Sequence, residues 1–207
     1  VFVLLWSTGF VVARYGTDDA GPFTFLALRL AIAAVMLAVV ATVTRAPRIS
    51  MAQAKWAALS GVGMHALYLG GVFLAISWGM PSGVSALIAG LHPVVTSVNA
   101  SWLLRERLNR VQWVGVGLGF AGVLVVVVDH LANASAGVTV GTLVCSAVSI
   151  GGMSMGTLVQ RRRGSSMPLL WGTVTQYVAS TAVLSVALIA YEGWHFHVTT
   201  RSVFALI

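Results

Sequence analysis

The sequence predicts an all-α polytopic membrane protein, and three observations carry that prediction. Charge is scarce: 8% of the 207 residues are charged and 58% are hydrophobic, whereas a soluble domain carries about 25% charged residues. The apolar residues fall into long runs, at 1–15 (incomplete), 22–44, 56–78, 83–104, 111–128, 138–159 and 168–190, with an eighth starting near Ser202. A spanning helix needs about 20 such residues. Finally, the linkers are short and rich in turn residues: TDDAGP, RAPRIS, GMPSG, RERLNR, DHLANASAG and RRRGSSMP. Buried strands are also continuous apolar runs, but they are far shorter and poorer in Ala and Leu.

Each run has its own marks. Span one opens as VFVLLWSTGF, without the basic start and small-residue cleavage site of a signal peptide. It reads as a helix already under way, and the final SVFALI also stops inside an apolar run, so the chain reads as cut at both ends. Pro22 opens span two and Pro168 opens span seven, the position in a helix where proline costs nothing. Span four carries His92-Pro93 and ends in Arg105-Glu106-Arg107. Span five is glycine-rich, with GLGFAG at 117–122. Cys145, in span six, is the single cysteine, so no internal disulfide forms and no metal cluster rests on it.

The net charge of +7 invites a nucleic-acid reading. That requires basic residues gathered on one exposed face, whereas here they lie in short clusters between apolar runs. Counted by side, the even linkers hold Arg45, Arg48, Lys55, Arg105, Arg107, Arg110, Arg161, Arg162 and Arg163; the odd ones hold Arg14 and Arg201. Cytoplasmic loops are enriched in Lys and Arg. The even linkers are therefore expected in the cytoplasm of a cell whose inner (plasma) membrane holds the chain, with a cytoplasmic N-terminus.

Internal echoes point to two halves. Ser7-Thr8-Gly9 matches Ser149-Ile150-Gly151, Pro22 matches Pro168, and Lys55 matches Arg201, at offsets of 142, 146 and 146 residues. A unit of five spans is odd, so the second copy is inverted in the bilayer. Inverted repeats are a signature of secondary transporters.

Residues 68–128, YLGGVFLAISWGMPSGVSALIAGLHPVVTSVNASWLLRERLNRVQWVGVGLGFAGVLVVV, resemble the drug/metabolite transporter superfamily of the EamA type. The likeness lies in the short small-residue hairpin before span four, Pro93 within it, Arg-Glu-Arg-Leu at its end and the glycine-rich span five. LALRLAIAAVML in span two is also similar. The resemblance implies ten helices in two inverted five-helix repeats: a first repeat over 1–130 and an incomplete second over 138–207. It implies export or exchange of small metabolites or amphipathic compounds by alternating access. It names no substrate and no cofactor. The expected partners are a small-molecule substrate and the lipid bilayer, with no nucleic acid.

Depth selects the candidate substrate-binding residues, because transporter sites lie near the midplane. At 1.5 Å per residue the centre of a 22-residue span is about 11 residues in. This places Trp6, His65, Tyr68, His92 and Ser149 near mid-membrane, with Gln176 and Tyr177 two or three residues away and Arg29 about three residues outside centre. Arg29 has no acidic residue within the membrane to pair with. It recognises an anionic substrate group, or it is a structural arginine bonded to carbonyls or reaching for the interface. His65 and His92 line a cavity, where a histidine can couple proton movement, or hydrogen-bond between helices. Pro93 leaves the carbonyl of Ala89 without its helical donor, which makes a hinge or a static kink. Trp6, Tyr68, Trp171 and Tyr177 suit stacking, but Trp171, only four residues into span seven, reads first as an anchor; Trp56, Trp78, Trp102 and Trp113 lie at span ends as interfacial anchors. Asn99 is expected to tie helices together, and Gln176 either does the same or meets the substrate.

Other signals carry less. GLGFAG lacks the preceding strand and the acidic residue of a dinucleotide site; Gly115 and Gly119, like Gly152 and Gly156, form small-residue faces for helix packing. His195 and His197 have no third metal ligand nearby, and no catalytic pattern supports an enzyme. A membrane-embedded enzyme and a non-transporting scaffold stand as the alternatives.

Overall fold

The computed structural model describes residues 21–103, 108–132, 137–164 and 166–193. Every regular element among them is helical. Six helices are long and apolar enough to cross a membrane: Pro22–Val43, Met51–Ser77, Ser82–Leu103, Arg110–His130, Val140–Arg163 and Leu169–Glu192. They are spans two to seven of the sequence and keep those names. Span one and the start of span eight lie outside the described residues. Six helices stand where the resemblance implies ten.

Local chemistry sets the helix starts. Pro22 occupies the first turn of span two. Span three begins a turn earlier than its apolar run, at Met51, because Ser50 and Gln53 form a capping box. The Gln53 amide donates to Ser50 Oγ (3.3 Å) and the Ser50 amide donates to Gln53 Oε1 (3.0 Å). Thr139 and Thr142 do the same for span six.

Two spans are irregular near their middles. Span three is α-helical to Gly61, π-helical over Val62–Leu67, and α-helical again from Tyr68 to Ser77. Span four breaks into Ser82–Ala89 and His92–Leu103, with a turn at Gly90 and Leu91. Pro93 accounts for the break, since it offers no N–H to the carbonyl of Ala89.

Helices in lipid gain no hydrophobic free energy from meeting, so they associate where small residues allow close contact. Spans three and six meet in this way. A Cβ on Gly63 would lie 2.6 Å from the Gly152 carbonyl oxygen, one on Gly152 would lie 2.5 Å from Leu67 Cβ, and one on Gly156 would lie 2.7 Å from the Ser60 carbonyl oxygen. Gly61 packs likewise on the backbone of Gln176 in span seven. Gly115 and Gly119 behave differently: no described atom lies within 4 Å of a Cβ on Gly115, and Gly119 meets Val94 at an ordinary 3.4 Å. The expected close face on span five is absent among the described residues, and that span has no buried residue in its spanning window.

Spans two, three and seven share a core of Phe25, Leu26, Leu30, Tyr68, Phe73 and Leu184. Phe25 stacks on Phe73 with centroids 5.9 Å apart. A second core, including Met80, Val84, Ile88 and Ile150, joins the span three–four hairpin to span six.

Candidate functional site

The π turn positions the candidate site. A π turn inserts a residue into the helical ladder and re-aims the side chains around it; such bulges recur at functional sites. Here it holds His65, midway along the 27-residue span three. The His65 ring meets Tyr177 of span seven edge-on, with centroids 4.9 Å apart, and neighbours the Gln176 side chain. Gln176 is only 8% exposed, and its Nε2 donates to Gln160 Oε1 of span six at 3.1 Å. The Ser60 hydroxyl donates to the same oxygen at 3.1 Å. Ser60, His65, Gln160, Gln176 and Tyr177 thus form a polar seam where spans three, six and seven meet. A hydrogen bond between spanning helices is worth about 0.6–2 kcal/mol. Leaving one of these amides without a partner costs more than that.

The expected residues fall into three groups. His65, Gln176 and Tyr177 come together in the seam. His92 is apart from it: its Nε2 lies 3.5 Å from Thr157 Oγ1 of span six. One turn later the Thr96 hydroxyl is buried and has no hydrogen-bond partner, and so is Thr181, one turn beyond Tyr177. Pro93 is exposed beside the break in span four. Tyr68 and Ser149 lie in packing contacts: Tyr68 is 4% exposed within the core, and the Ser149 hydroxyl donates to the Cys145 carbonyl at 2.9 Å against Gly71. Arg29 is half-buried on span two, and no hydrogen bond or ion pair joins its guanidinium to another described residue. Trp6 lies outside the described residues. Asn99 ties span four to span six, its Nδ2 donating to Ser154 Oγ at 2.9 Å.

Gln160 and Ser60 escaped sequence reasoning. Gln160 directly precedes Arg161-Arg162-Arg163, so it reads as the polar end of its span. Its burial partner Gln176 lies seven residues into the next span, across a hairpin. The signal available was an uncharged amide on each side of one tight linker.

A second cluster, at the opposite end of the bundle, joins spans two, three and seven. Glu192 receives hydrogen bonds from the amides of Phe23 (2.8 Å) and Thr24 (3.0 Å) and from the Thr24 hydroxyl (2.9 Å). A carboxylate on a helix N-terminus satisfies free N–H groups and complements the helix dipole. Beside it the Trp78 indole donates to the Tyr191 hydroxyl at 3.1 Å, and Phe23 meets Tyr191 edge-on at 6.1 Å.

A cleft of about 340 Å³ opens along spans three and six, with Leu103 of span four also lining it, and it shares Val62, Gly63 and Leu67 with the π turn. None of the candidate substrate-binding residues lines it, whereas Trp56, Gly152 and Gly156 do.

Comparison with known proteins places this arrangement. The chain is 29% identical over 131 residues to the "Probable amino-acid metabolite efflux pump" of Escherichia coli, a match that covers 62% of this chain and 41% of that protein. It is 25% identical over 190 residues to an uncharacterized transporter of Bacillus subtilis, covering 89% of this chain and 59% of that protein. The chain thus spans less than two thirds of the length of these relatives. A solved crystal structure shares its fold with a TM-score of 0.66 at 20% identity, over 99% of this chain and 73% of the other. The model of the EamA-like transporter family matches residues 1–128. The chain, a multi-pass membrane protein, belongs to the EamA-like transporter family.

Proposed function

We propose that the chain is the greater part of a secondary transporter that moves small metabolites or amphipathic compounds out of the cytoplasm by alternating access. The observation that carries this reading is the polar seam that runs from His65, in the π turn at mid-membrane, and Tyr177 through Gln176 to Gln160 and Ser60 toward the arginine-rich end of span six. Polar groups at this depth are costly, and they mark substrate or ion pathways. The seam draws one span from the first expected repeat, 1–130, and two from the second, 138–207. Transporters of inverted architecture bind their substrates at that junction. The packing of span two on span seven, the second helix of each repeat, supports the inverted relation.

In this reading His65, Gln176 and Tyr177 hold the substrate, Tyr68 and Ser149 shape the space around them, and Trp6, outside the described residues, is a further candidate for substrate contact. Arg29 recognises an anionic group. His92 lies at the start of a half-helix, next to the Pro93 break that serves as a hinge. The arginine-rich ends of spans four and six face the cytoplasm of an inner-membrane protein. The relatives named as efflux pumps support the outward direction.

Flux into proteoliposomes tests the proposal, with a panel of amino acids and amphipathic metabolites, each with and without a pH gradient. Saturable flux of at least one compound is expected, abolished by Gln176→Leu in protein that remains folded. Absence of flux across the panel, or flux untouched by Gln176→Leu and His65→Ala alike, overturns it.

A further inference from the structure

We infer that the cleft along spans three and six is a binding site for an anionic phospholipid of the leaflet on the arginine-rich side. The cleft has a volume of about 340 Å³, within the range of about 300–1,000 Å³ for ligand sites. On span three it runs from Leu67 to Trp56, and on span six from Gly152 to Arg163. Eleven residues of helix measure about 16 Å. That is close to half of the roughly 30 Å hydrocarbon thickness of a bilayer. The cleft therefore follows one leaflet from the midplane to the interface.

Its chemistry is graded along that length. From the midplane outward the walls are apolar, with Leu67, Met155 and Leu59 on the flanks. These three are 42%, 44% and 53% exposed, so the cleft is open sideways along its length. Among the described residues its charged lining is confined to one end, where Arg162 and Arg163 stand at the rim, and Arg163 lies over the Trp56 ring at 4.9 Å. Cation–π contact fixes the guanidinium at the depth of the interface without neutralising it. A soluble metabolite needs polar groups converging on its body, and the body of this cleft has none. A phospholipid needs an apolar trough for one chain and cations for its phosphate, in that order and at that separation. Basic pockets between spanning helices on the cytoplasmic side bind acidic lipid head groups. The side assignment rests on the proposed orientation, but the lipid preference does not require transport.

Trp56 is the reporter. The protein is reconstituted into vesicles of zwitterionic lipid containing a small fraction of bromine-labelled phosphatidylglycerol or, in parallel, bromine-labelled phosphatidylcholine. Quenching of the Trp56 emission, taken as the difference from Trp56→Phe, should be stronger for the anionic lipid. Arg162→Gln with Arg163→Gln should lower the apparent affinity for the anionic lipid by roughly 30-fold, from the attraction of two surface cations. Arg162→Lys with Arg163→Lys should retain it. Met155→Trp in the Trp56→Phe background, read by native mass spectrometry of co-purified lipid, should expel the chain while both arginines remain. Equal quenching by the two lipids, a preference that survives the double Gln variant, or one displaced by a soluble aliphatic sulfonate yet not by unlabelled phosphatidylglycerol overturns the inference. Because no substrate is involved, failure of the transport reading leaves this result standing, and the reverse.

Discussion

The cap on span two gives a prediction whose sign depends on one neighbour. Glu192 takes three hydrogen bonds from Phe23 and Thr24, and a Cβ on Gly21 would run into its carboxylate. Glu192→Ala should destabilise the fold by about 2 kcal/mol, from charge-assisted bonds and a helix-terminus charge at a partly exposed site. Gly21→Ala in the parent should cost about 1 kcal/mol or more, because the carboxylate must leave its two amides. The backbone of Gly21 lies at φ −59°, ψ 144°, a conformation that alanine adopts freely. With Glu192 already removed, Gly21→Ala should therefore be neutral, or stabilising by about 0.4–1 kcal/mol through the unfolded chain. The cycle can be read in mixed micelles by titration with sodium dodecyl sulfate. Labelling of the free thiol of Cys145, which is partly buried, serves as an independent probe of unfolding. Additive effects, or a destabilising Gly21→Ala in both backgrounds, would refute the capping argument.

Four further outcomes are expected. Gly156→Leu should cost roughly 3 kcal/mol or abolish folding, since it drives span six off the Ser60 carbonyl in a close-packed interface; Gly115→Leu, which meets no described atom within 4 Å, should be tolerated, and similar micelle stabilities for the two would discredit the packing account. Asn99→Ala should lose about 0.6–1.7 kcal/mol in the same assay, and Ser154→Ala should add nothing to it. Arg29→Ala should impair anionic substrates selectively in proteoliposomes; equal loss for neutral ones, or loss of folded protein, assigns Arg29 a structural role. In sealed cells, an introduced thiol at Arg48 should resist impermeant reagents while one at Asp18 reacts, and the opposite pattern would invert the proposed orientation.

The spanning helices were legible because a bilayer admits few alternatives: about 20 apolar residues with satisfied backbone groups must be helical. Their bounds followed to within about one and a half turns. Span three started early only because Ser50 and Gln53 reach past the apolar run. Facing was harder to read. In a soluble helix a polar stripe marks water and an apolar stripe marks the core. In lipid both faces are apolar, so Gly63 in a tight contact and Gly115 in the open look alike in the sequence. Depth alone brought forward His65, Gln176 and Tyr177, which the fold gathers, together with Tyr68 and Ser149, which it packs into helix contacts. The π turn left no mark in the sequence, because it arises from how Gly61 and Gly63 are pressed against spans seven and six. The break in span four was legible, because proline removes a donor in any environment.

The two spans that are broken near their middles have a common neighbour. The π turn at Val62–Leu67 and the turn at Gly90–Leu91 each lie within about one helical turn of mid-span. Both spans pack on span six, one through Gly63 and Gly152, the other through His92 to Thr157 and Asn99 to Ser154. Non-helical backbone at membrane depth persists only where protein or water satisfies it. Among the described spans, span five has a regular backbone and no buried residue in its window. The mid-span breaks therefore accompany the contacts with span six, whereas the π turn of Leu188–Glu192, at the end of span seven, lies against span two. A chain that needs only to sit in lipid has no reason to place two breaks in its ladder at the same depth on either side of one helix. One that must shift spans three and four against span six has such a reason, because each break lets half of a span tilt while the other half stays in its core. Distances between spin labels at positions 84 and 169, compared with those between positions 98 and 169, test this reasoning. On addition of a transported compound, one pair should change by several ångströms while the other holds. Equal change at both pairs would mean that span four moves as one rigid rod, and that the Pro93 break is a static kink.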